Sequence, residues 1–104
     1  MKRGEVWWAD LPQPMGHRPV VLLSRDEAYR IRALVTVAVV TTMVWNIPVE
    51  VPLGPEDGLP KSCVANLDTI LTIRKTQCTQ FISLLRPEKI DQINAAIKFA
   101  LAIP

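Results

Sequence analysis

One apolar run, Ala33–Thr42 (ALVTVAVVTT), limits the folds open to this chain more than any other feature. Its β-branched valines and threonines favour a strand over a helix. It is shorter than the roughly 18 apolar residues that a membrane-spanning helix requires, and no other stretch approaches that length. The basic start, Met1–Glu5, is not followed by the apolar segment of a signal peptide. We therefore expect a strand here, and neither a membrane span nor a signal peptide.

Further segments rich in β-branched and aromatic residues are separated by glycine and proline clusters. Ile47–Leu53 alternates with period two and carries its prolines on one face, which is typical of an edge strand. The polar segment Arg25–Arg32 predicts one or two helical turns or an irregular excursion. We expect strands at Gly4–Leu11, Val20–Ser24, Ala33–Thr42, Ile47–Leu53, Ser62–Leu71 and Thr79–Leu85.

The C-terminal segment, Pro87–Ala102, has helical periodicity, and Pro87 suits the first helical position. Its apolar stripe recurs at three- and four-residue steps, at Ile90, Ile93, Ile97 and Leu101. The chain of 104 residues thus predicts one domain, residues 1–104. We expect a β-rich α+β fold, a strongly bent sheet or partly closed barrel of five to seven strands with a C-terminal helix.

The composition restricts the chemistry. Cys63 and Cys78 form no CxxC pair and are expected to be reduced thiols in a cytoplasmic protein. With the single histidine they do not supply a convincing metal site, so we expect neither metal nor cofactor. A net charge of +2 neither establishes nor excludes a nucleic-acid partner. The 49% hydrophobic content leaves apolar surface for homo-oligomerisation.

The segment Gly16–Ser24 (GHRPVVLLS) places the only histidine beside an arginine at the mouth of a strand. Pro19 holds Arg18 in an extended conformation, and a fixed guanidinium suits a phosphate. An ordinary surface turn with a salt-bridging arginine is the alternative, and this segment alone favours that alternative.

Several segments together resemble, over nearly the whole chain, the MazF/PemK family of toxin endoribonucleases. They are RGEVWWADL (3–11), GHRPVVLLS (16–24), VAVVTT (37–42), PVEVPL (48–53), GLPKSCVANLDTI (58–70) and LLRPEKI (84–90). The resemblance implies a barrel-like sheet with helices, an intertwined homodimer, cleavage of single-stranded RNA, and a cognate antitoxin that occupies the RNA groove.

The resemblance also implies site residues. Arg18 stands in the family's RP element as the catalytic arginine, and Thr41 matches the threonine that closes the third long strand. The adjacent Thr42 is the other possibility and a candidate for RNA binding. Asp68 matches an aspartate that some members use. Two departures are a short loop between the first two strands, and Asn66 where some relatives have an arginine.

Metal-free RNA cleavage requires a base for the ribose 2′-OH, a cation against the phosphate oxygens, and an acid for the leaving group. Arg18 is expected to stabilise charge, and Thr41 to donate a hydrogen bond or merely cap a turn. His17 has a suitable side chain for proton transfer. Strand alternation, however, predicts that His17 points away from Arg18. Asp68 is expected to act as base, to orient Arg18, or to form a structural ion pair.

RNA also has to be held in place. Lys61, Arg74 and Lys75 are candidates for phosphate contacts, with ordinary solvated charge as the alternative. Trp45 is a candidate for stacking on an unpaired base, or else covers the core or a dimer seam. Two other functions remain open: a CcdB-like toxin that binds DNA gyrase without catalysis, and an inactive family member that acts as a binding module.

Overall fold

The computed structural model describes residues 1–104 and contains six strands and two helices. In chain order they are β1 (Glu5–Asp10), β2 (His17–Leu22), α1 (Ala28–Ile31), β3 (Leu34–Thr41), β4 (Glu50–Leu53), β5 (Cys63–Arg74), β6 (Cys78–Leu84) and α2 (Pro87–Ala100). Two short 3-10 turns, Pro55–Asp57 and Lys75–Gln77, lie before and after β5. Neither α1 nor α2 has the length and hydropathy that a membrane-spanning helix requires.

The strands form one antiparallel sheet in the order β4-β5-β3-β2-β1-β6. The apolar run Ala33–Thr42 contains β3, which lies between β2 and β5. Its Val37 and Ala38 are fully buried on opposite faces of the sheet. Both faces of the central strand therefore need apolar side chains, which explains why this segment does not alternate with polar residues.

The core has two parts, one on each face of the sheet. The larger part lies under α2 and includes Val21, Ala38 and Ile93. The smaller part lies under α1 and includes Val20 and Tyr29. The expected β-rich α+β fold, with a bent sheet and a C-terminal helix, is confirmed.

Some predicted boundaries were wrong. The strand predicted from Ile47 begins only at Glu50, because the Glu50 carboxylate accepts hydrogen bonds from the backbone N–H groups of Trp45, Asn46 and Ile47 and holds them in a turn. Helix α2 ends at Ala100 rather than at the predicted Ala102.

Two further boundaries differ at β2 and β5. Strand β2 begins at His17 rather than Val20, because His17 already pairs with Asp10, the last residue of β1. Strand β5 continues past the predicted Leu71 to Arg74, where it still pairs with β3.

Candidate functional site

A gap opens between β2 and β3 at the end of the sheet where β2 begins. The pairing of the two strands ends at Val20↔Val39. The residue of β2 that precedes Val20 is Pro19, which has no backbone N–H to donate to β3. The same register, continued, would place Arg18 opposite Thr41, on the face that carries Val20 and Val39. The strands instead separate, and these two polar side chains line the gap.

Two adjoining cavities occupy this gap and share the lining residues Met15, Arg18 and Thr41. The first, of about 200 Å³, is called the His17 cavity. Its other lining residues are Trp8, His17, Pro19, Val40, Thr42, Leu59, Pro60, Lys61 and Cys63. The second, of about 270 Å³, is called the Trp45 cavity. Its other lining residues are Val39, Met43, Trp45, Asn66 and Thr69.

The guanidinium of Arg18 is fixed through one of its three nitrogens, and the other two have no hydrogen-bond partner. Its Nε donates a hydrogen bond of 2.8 Å to the carbonyl oxygen of Met15 in the β1–β2 loop. That loop is closed by a 2.9 Å bond from the N–H of Leu11 to the carbonyl of Gly16, whose φ of 65° favours glycine. No carboxylate forms an ion pair with Arg18. The short loop therefore positions a half-buried cation whose two terminal nitrogens remain available to an anion.

Thr41 ends β3 beside Arg18. Its Oγ1 accepts a hydrogen bond of 3.1 Å from the N–H of Met43, which also fits the turn-capping alternative. Because this hydroxyl acts as an acceptor there, its proton remains available for an oxygen in either cavity. The neighbouring Thr42 is exposed and lines only the His17 cavity.

His17 and Arg18 both line the His17 cavity. Strand alternation does send the two side chains to opposite faces of β2, but the missing β2–β3 pairing opens the sheet between those faces. The Nδ1 of His17 is 2.8 Å from Oδ1 of Asp10. Its ring stacks on Trp8, with centroids 4.9 Å apart and planes at 6°.

Trp45 lies in an exposed loop beside the Trp45 cavity rather than over the core. Its side chain is 64% exposed, and Met43 in the same loop is 61% exposed. The backbone N–H of Trp45 is held by Glu50 at 3.0 Å. An aromatic ring of this exposure next to a free arginine suits an unpaired base.

The structure does not bring Asp68 to Arg18. Strand β5 contains a bulge, since Ala38 pairs with Ile70 but the next residue, Val39, pairs with Asn66. Asp68 lies in this excursion, is exposed, and lines neither cavity. Asn66 lines the Trp45 cavity instead, and its Oδ1 accepts a 2.8 Å hydrogen bond from the N–H of Asp68.

The three candidate phosphate-binding cations are not close together. Lys61 lines the His17 cavity. Arg74 pairs with Leu34, seven residues along β3 from Thr41, which corresponds to about 23 Å. Lys75 follows Arg74 and donates from Nζ to the carbonyl of Tyr29 at 2.8 Å. The length of β5 therefore carries Arg74 and Lys75 away from the two cavities.

Cys63 lines the His17 cavity from the buried start of β5. Burial, with smaller contributions from Asp57 and Glu56, raises the pKa of its thiol, so the thiol form is favoured over a nucleophilic thiolate. Burial also raises the pKa of Cys78. Both cysteines are free, and no three His, Cys, Asp or Glu side chains are grouped where they would hold a metal ion.

Sequence reasoning missed four residues that shape the site: Trp8, Asp10, Met15 and Asn66. Trp8 and Asp10 share one face of β1, at i and i+2, and β1 and β2 are joined by a short loop. This spacing is a signal that could have placed both beside His17. The carbonyl contact of Met15 and the bulge that turns Asn66 inward have no comparable signal in the sequence.

Comparison with known proteins identifies the family and the fold of this chain. The family described as "PemK-like, MazF-like toxin of type II toxin-antitoxin system" matches residues 2–101. A probable endoribonuclease MazF5 of Mycobacterium tuberculosis is 33% identical, over 95% of this chain and 91% of its own. The endoribonuclease EndoA of Bacillus subtilis is 30% identical, over 99% of this chain and 96% of its own.

Solved structures agree with this. A mycobacterial endoribonuclease in complex with its cognate antitoxin superposes with a TM-score of 0.89 at 32% identity, covering 100% of this chain and 97% of its own. A MazE–MazF complex from Deinococcus radiodurans gives a TM-score of 0.81 over 100% of this chain and 97% of its own. Its 17% identity supports the fold alone.

Proposed function

The chain belongs to the PemK-like, MazF-like toxin family of type II toxin–antitoxin systems and is an endoribonuclease of that family, and we propose that it cuts single-stranded RNA at the β2–β3 gap. The proposed reaction is metal-independent and sequence-selective. It leaves a 2′,3′-cyclic phosphate and a free 5′-OH.

One observation carries this proposal: Arg18 is fixed through Nε and has no acidic partner. An arginine held in a concave site without a counter-charge is suited to an anion, and its forked donors match the oxygens of a phosphate. Thr41 and His17 line the same cavity, so a hydroxyl donor and an imidazole are present beside the proposed phosphate site.

In the proposed reaction the ribose 2′-oxygen attacks the adjacent phosphorus, and the bond from phosphorus to the 5′-oxygen breaks. Charge accumulates on the non-bridging oxygens as the phosphorus becomes five-coordinate. The guanidinium of Arg18 and the hydroxyl of Thr41 stabilise that charge, which is the contribution expected of fixed donors in a partly buried site. Arg18 acts as a charge stabiliser rather than a proton donor, because a guanidinium does not readily release its proton in water.

Binding of the RNA is assigned to groups on either side of the reacting phosphate. In the Trp45 cavity, Trp45 offers an exposed ring for stacking on an unpaired base. In the His17 cavity, Lys61 is exposed and suited to a neighbouring phosphate. This arrangement favours single-stranded RNA, whose bases are free to leave the stack.

The partners proposed are a cognate antitoxin and a second copy of this chain. The solved structure of a relative with its cognate antitoxin, at 32% identity, supports the first. Exposed apolar side chains such as Phe81, Leu84 and Phe99 support burial of surface in a homodimer. Because RNA is the proposed substrate, we propose that the enzyme acts in the cytoplasm. The gyrase-binding alternative has no comparable observation in its favour.

The proposal is tested by incubating the purified protein with mixed-sequence single-stranded RNA in EDTA and mapping the cut ends. We expect cuts at a recurring short motif. Their 5′ ends should accept phosphate from polynucleotide kinase without prior phosphatase treatment. Intact RNA from a folded protein, or cleavage that requires added metal, would overturn the proposal.

A further inference from the structure

His17 is held on two sides. Its Nδ1 is 2.8 Å from Oδ1 of Asp10, and its ring lies parallel to Trp8 at 4.9 Å. The backbone carbonyl of Asp10 accepts a 3.0 Å hydrogen bond from Nε2 of Gln77, which fixes the end of β1. No protein group forms a hydrogen bond with Nε2 of His17. The ring is therefore oriented by two contacts, and one nitrogen remains free.

These contacts determine which nitrogen carries the proton in neutral His17. An ionised carboxylate only accepts hydrogen bonds, so the Nδ1 that faces Asp10 must be the donor. The lone pair is then on Nε2. Arg18 and Lys61, the other charged groups that line this cavity, are cations and give Nε2 no acceptor.

The contact between His17 and Asp10 is expected to add little to the stability of the fold. The side chains of His17 and Asp10 are 56% and 67% exposed. Exposed ion pairs contribute little to folding, because water screens them and ordering two side chains costs entropy. The contacts with Asp10 and Trp8 therefore orient an accessible His17 ring rather than fill the hydrophobic core.

We propose that Asp10 and Trp8 are positioning residues that set the tautomer and plane of His17, so that Nε2 accepts the 2′-OH proton of the RNA. This inference rests on the proposed function. As the proton moves to Nε2, the bond from the 2′-oxygen to phosphorus forms and the bond from phosphorus to the 5′-oxygen breaks. The departing 5′-oxygen takes a proton from solvent water, and the imidazolium returns its proton to solvent.

The first test uses the fact that the chain has a single histidine. In ring-nitrogen NMR spectra of the protein with labelled histidine, at a pH where the ring is neutral, the Nδ1–H form should dominate. Asp10→Asn should lose that preference, because an amide can also donate to Nδ1. An Nε2–H form in the unmodified protein would overturn the proposal.

The second test measures kcat and KM on a short oligoribonucleotide that contains a mapped cut site. Asp10→Asn should lower kcat by about 10- to 100-fold with KM changed by less than about 2-fold, a fraction of what general base catalysis supplies. Trp8→Ala should lower kcat, and Trp8→Phe should restore most of it.

A double variant separates positioning from a structural role. In a His17→Gln background, Asp10→Asn should cause no further loss, because Asp10 acts through the ring that is already absent. Independent, multiplying losses would contradict the proposal, as would a wild-type kcat for Asp10→Asn. Asp91→Asn, on the exposed face of α2, is the matched control.

The failure of this inference is distinguishable from failure of the proposed function. If the unmodified protein cuts no RNA, the proposed function itself is wrong. If it cuts RNA, Arg18→Ala abolishes cutting, and Asp10→Asn cuts at the normal rate, only the role of Asp10 is overturned.

Discussion

The Nε of Arg18 donates a 2.8 Å hydrogen bond to the carbonyl oxygen of Met15, three residues earlier in the chain. This contact spans the turn that joins β1 to β2, so the shape of the short loop sets the position of the guanidinium. It also uses only Nε and leaves both terminal nitrogens without a hydrogen-bond partner. The fork of two terminal nitrogens is thereby presented to a phosphate without the entropy cost of ordering a free side chain.

Removing the hydroxyl of Thr41 should slow chemistry more than binding. We expect Thr41→Val to lower kcat by about 100-fold with little change in KM, as for the loss of one donor to developing oxygen charge. Thr41→Ser keeps the hydroxyl and should retain most activity. Steady-state kinetics on a short RNA with a mapped cut site checks this, and a normal kcat for Thr41→Val would assign the hydroxyl to turn capping alone.

Removing the ring of Trp45 should weaken RNA binding. Stacking of a base on an aromatic side chain contributes about 1–3 kcal/mol, so Trp45→Ala should raise KM about 5-fold or more. Trp45→Phe should recover much of the loss. Because the side chain is 64% exposed, the thermal midpoint should change little. A large drop in stability with unchanged KM would indicate a packing role instead.

The lysines test where the RNA lies. Lys61→Ala should raise KM and reduce the dependence of binding on salt by about one phosphate contact. Lys75→Ala should leave KM unchanged, since its Nζ is bound to the carbonyl of Tyr29 at the opposite end of β5. Equal effects of the two substitutions, measured by salt titration of binding to a non-cleavable RNA, would show that the RNA extends along the whole sheet.

Asp57 anchors the loop that carries Lys61. Its side chain is 1% exposed, its Oδ2 accepts from the N–H of Gly54 at 3.0 Å, and its Oδ1 lies 3.9 Å from Nη2 of Arg86. Asp57→Ala leaves that N–H unsatisfied and should lower the free energy of unfolding by about 1–3 kcal/mol. Urea denaturation measures this change.

The neighbouring Glu56 is exposed and supplies the control for Asp57. Glu56→Ala should change the free energy of unfolding by less than about 0.5 kcal/mol. Equal midpoints for the two variants would show that the buried carboxylate does not hold the loop.

Local chemistry made the fold largely predictable from the sequence. The β-branched content of the Ala33–Thr42 run identified β3. The prolines of Ile47–Leu53 identified the edge strand β4, because proline has no N–H to donate and is tolerated where one side of a strand is unpaired. Pro87 marked the first residue of α2. Each of these signals acts through the residue's own backbone, so it can be read without knowledge of the tertiary structure.

The site was only partly predictable, because it depends on how strands meet. Pro19 was recognised as fixing Arg18, but its effect on the neighbouring strand, the loss of β2–β3 pairing, needs the sheet order. The bulge in β5 removes Asp68 from the site and turns Asn66 toward it. The length of β5 moves Arg74 to the far end. Residue type and spacing contain none of this pairing information.

The central claim is that Arg18 in the β2–β3 gap performs RNA cleavage, and a single-turnover rate tests it most directly. The unmodified protein, Arg18→Ala and the control Arg25→Ala, which removes an exposed arginine outside the site, are each mixed in excess with the mapped oligoribonucleotide in EDTA. We predict that Arg18→Ala lowers the rate by at least about 100-fold while its thermal midpoint and the rate of Arg25→Ala stay normal. Cleavage by folded Arg18→Ala at the unmodified rate would contradict the account.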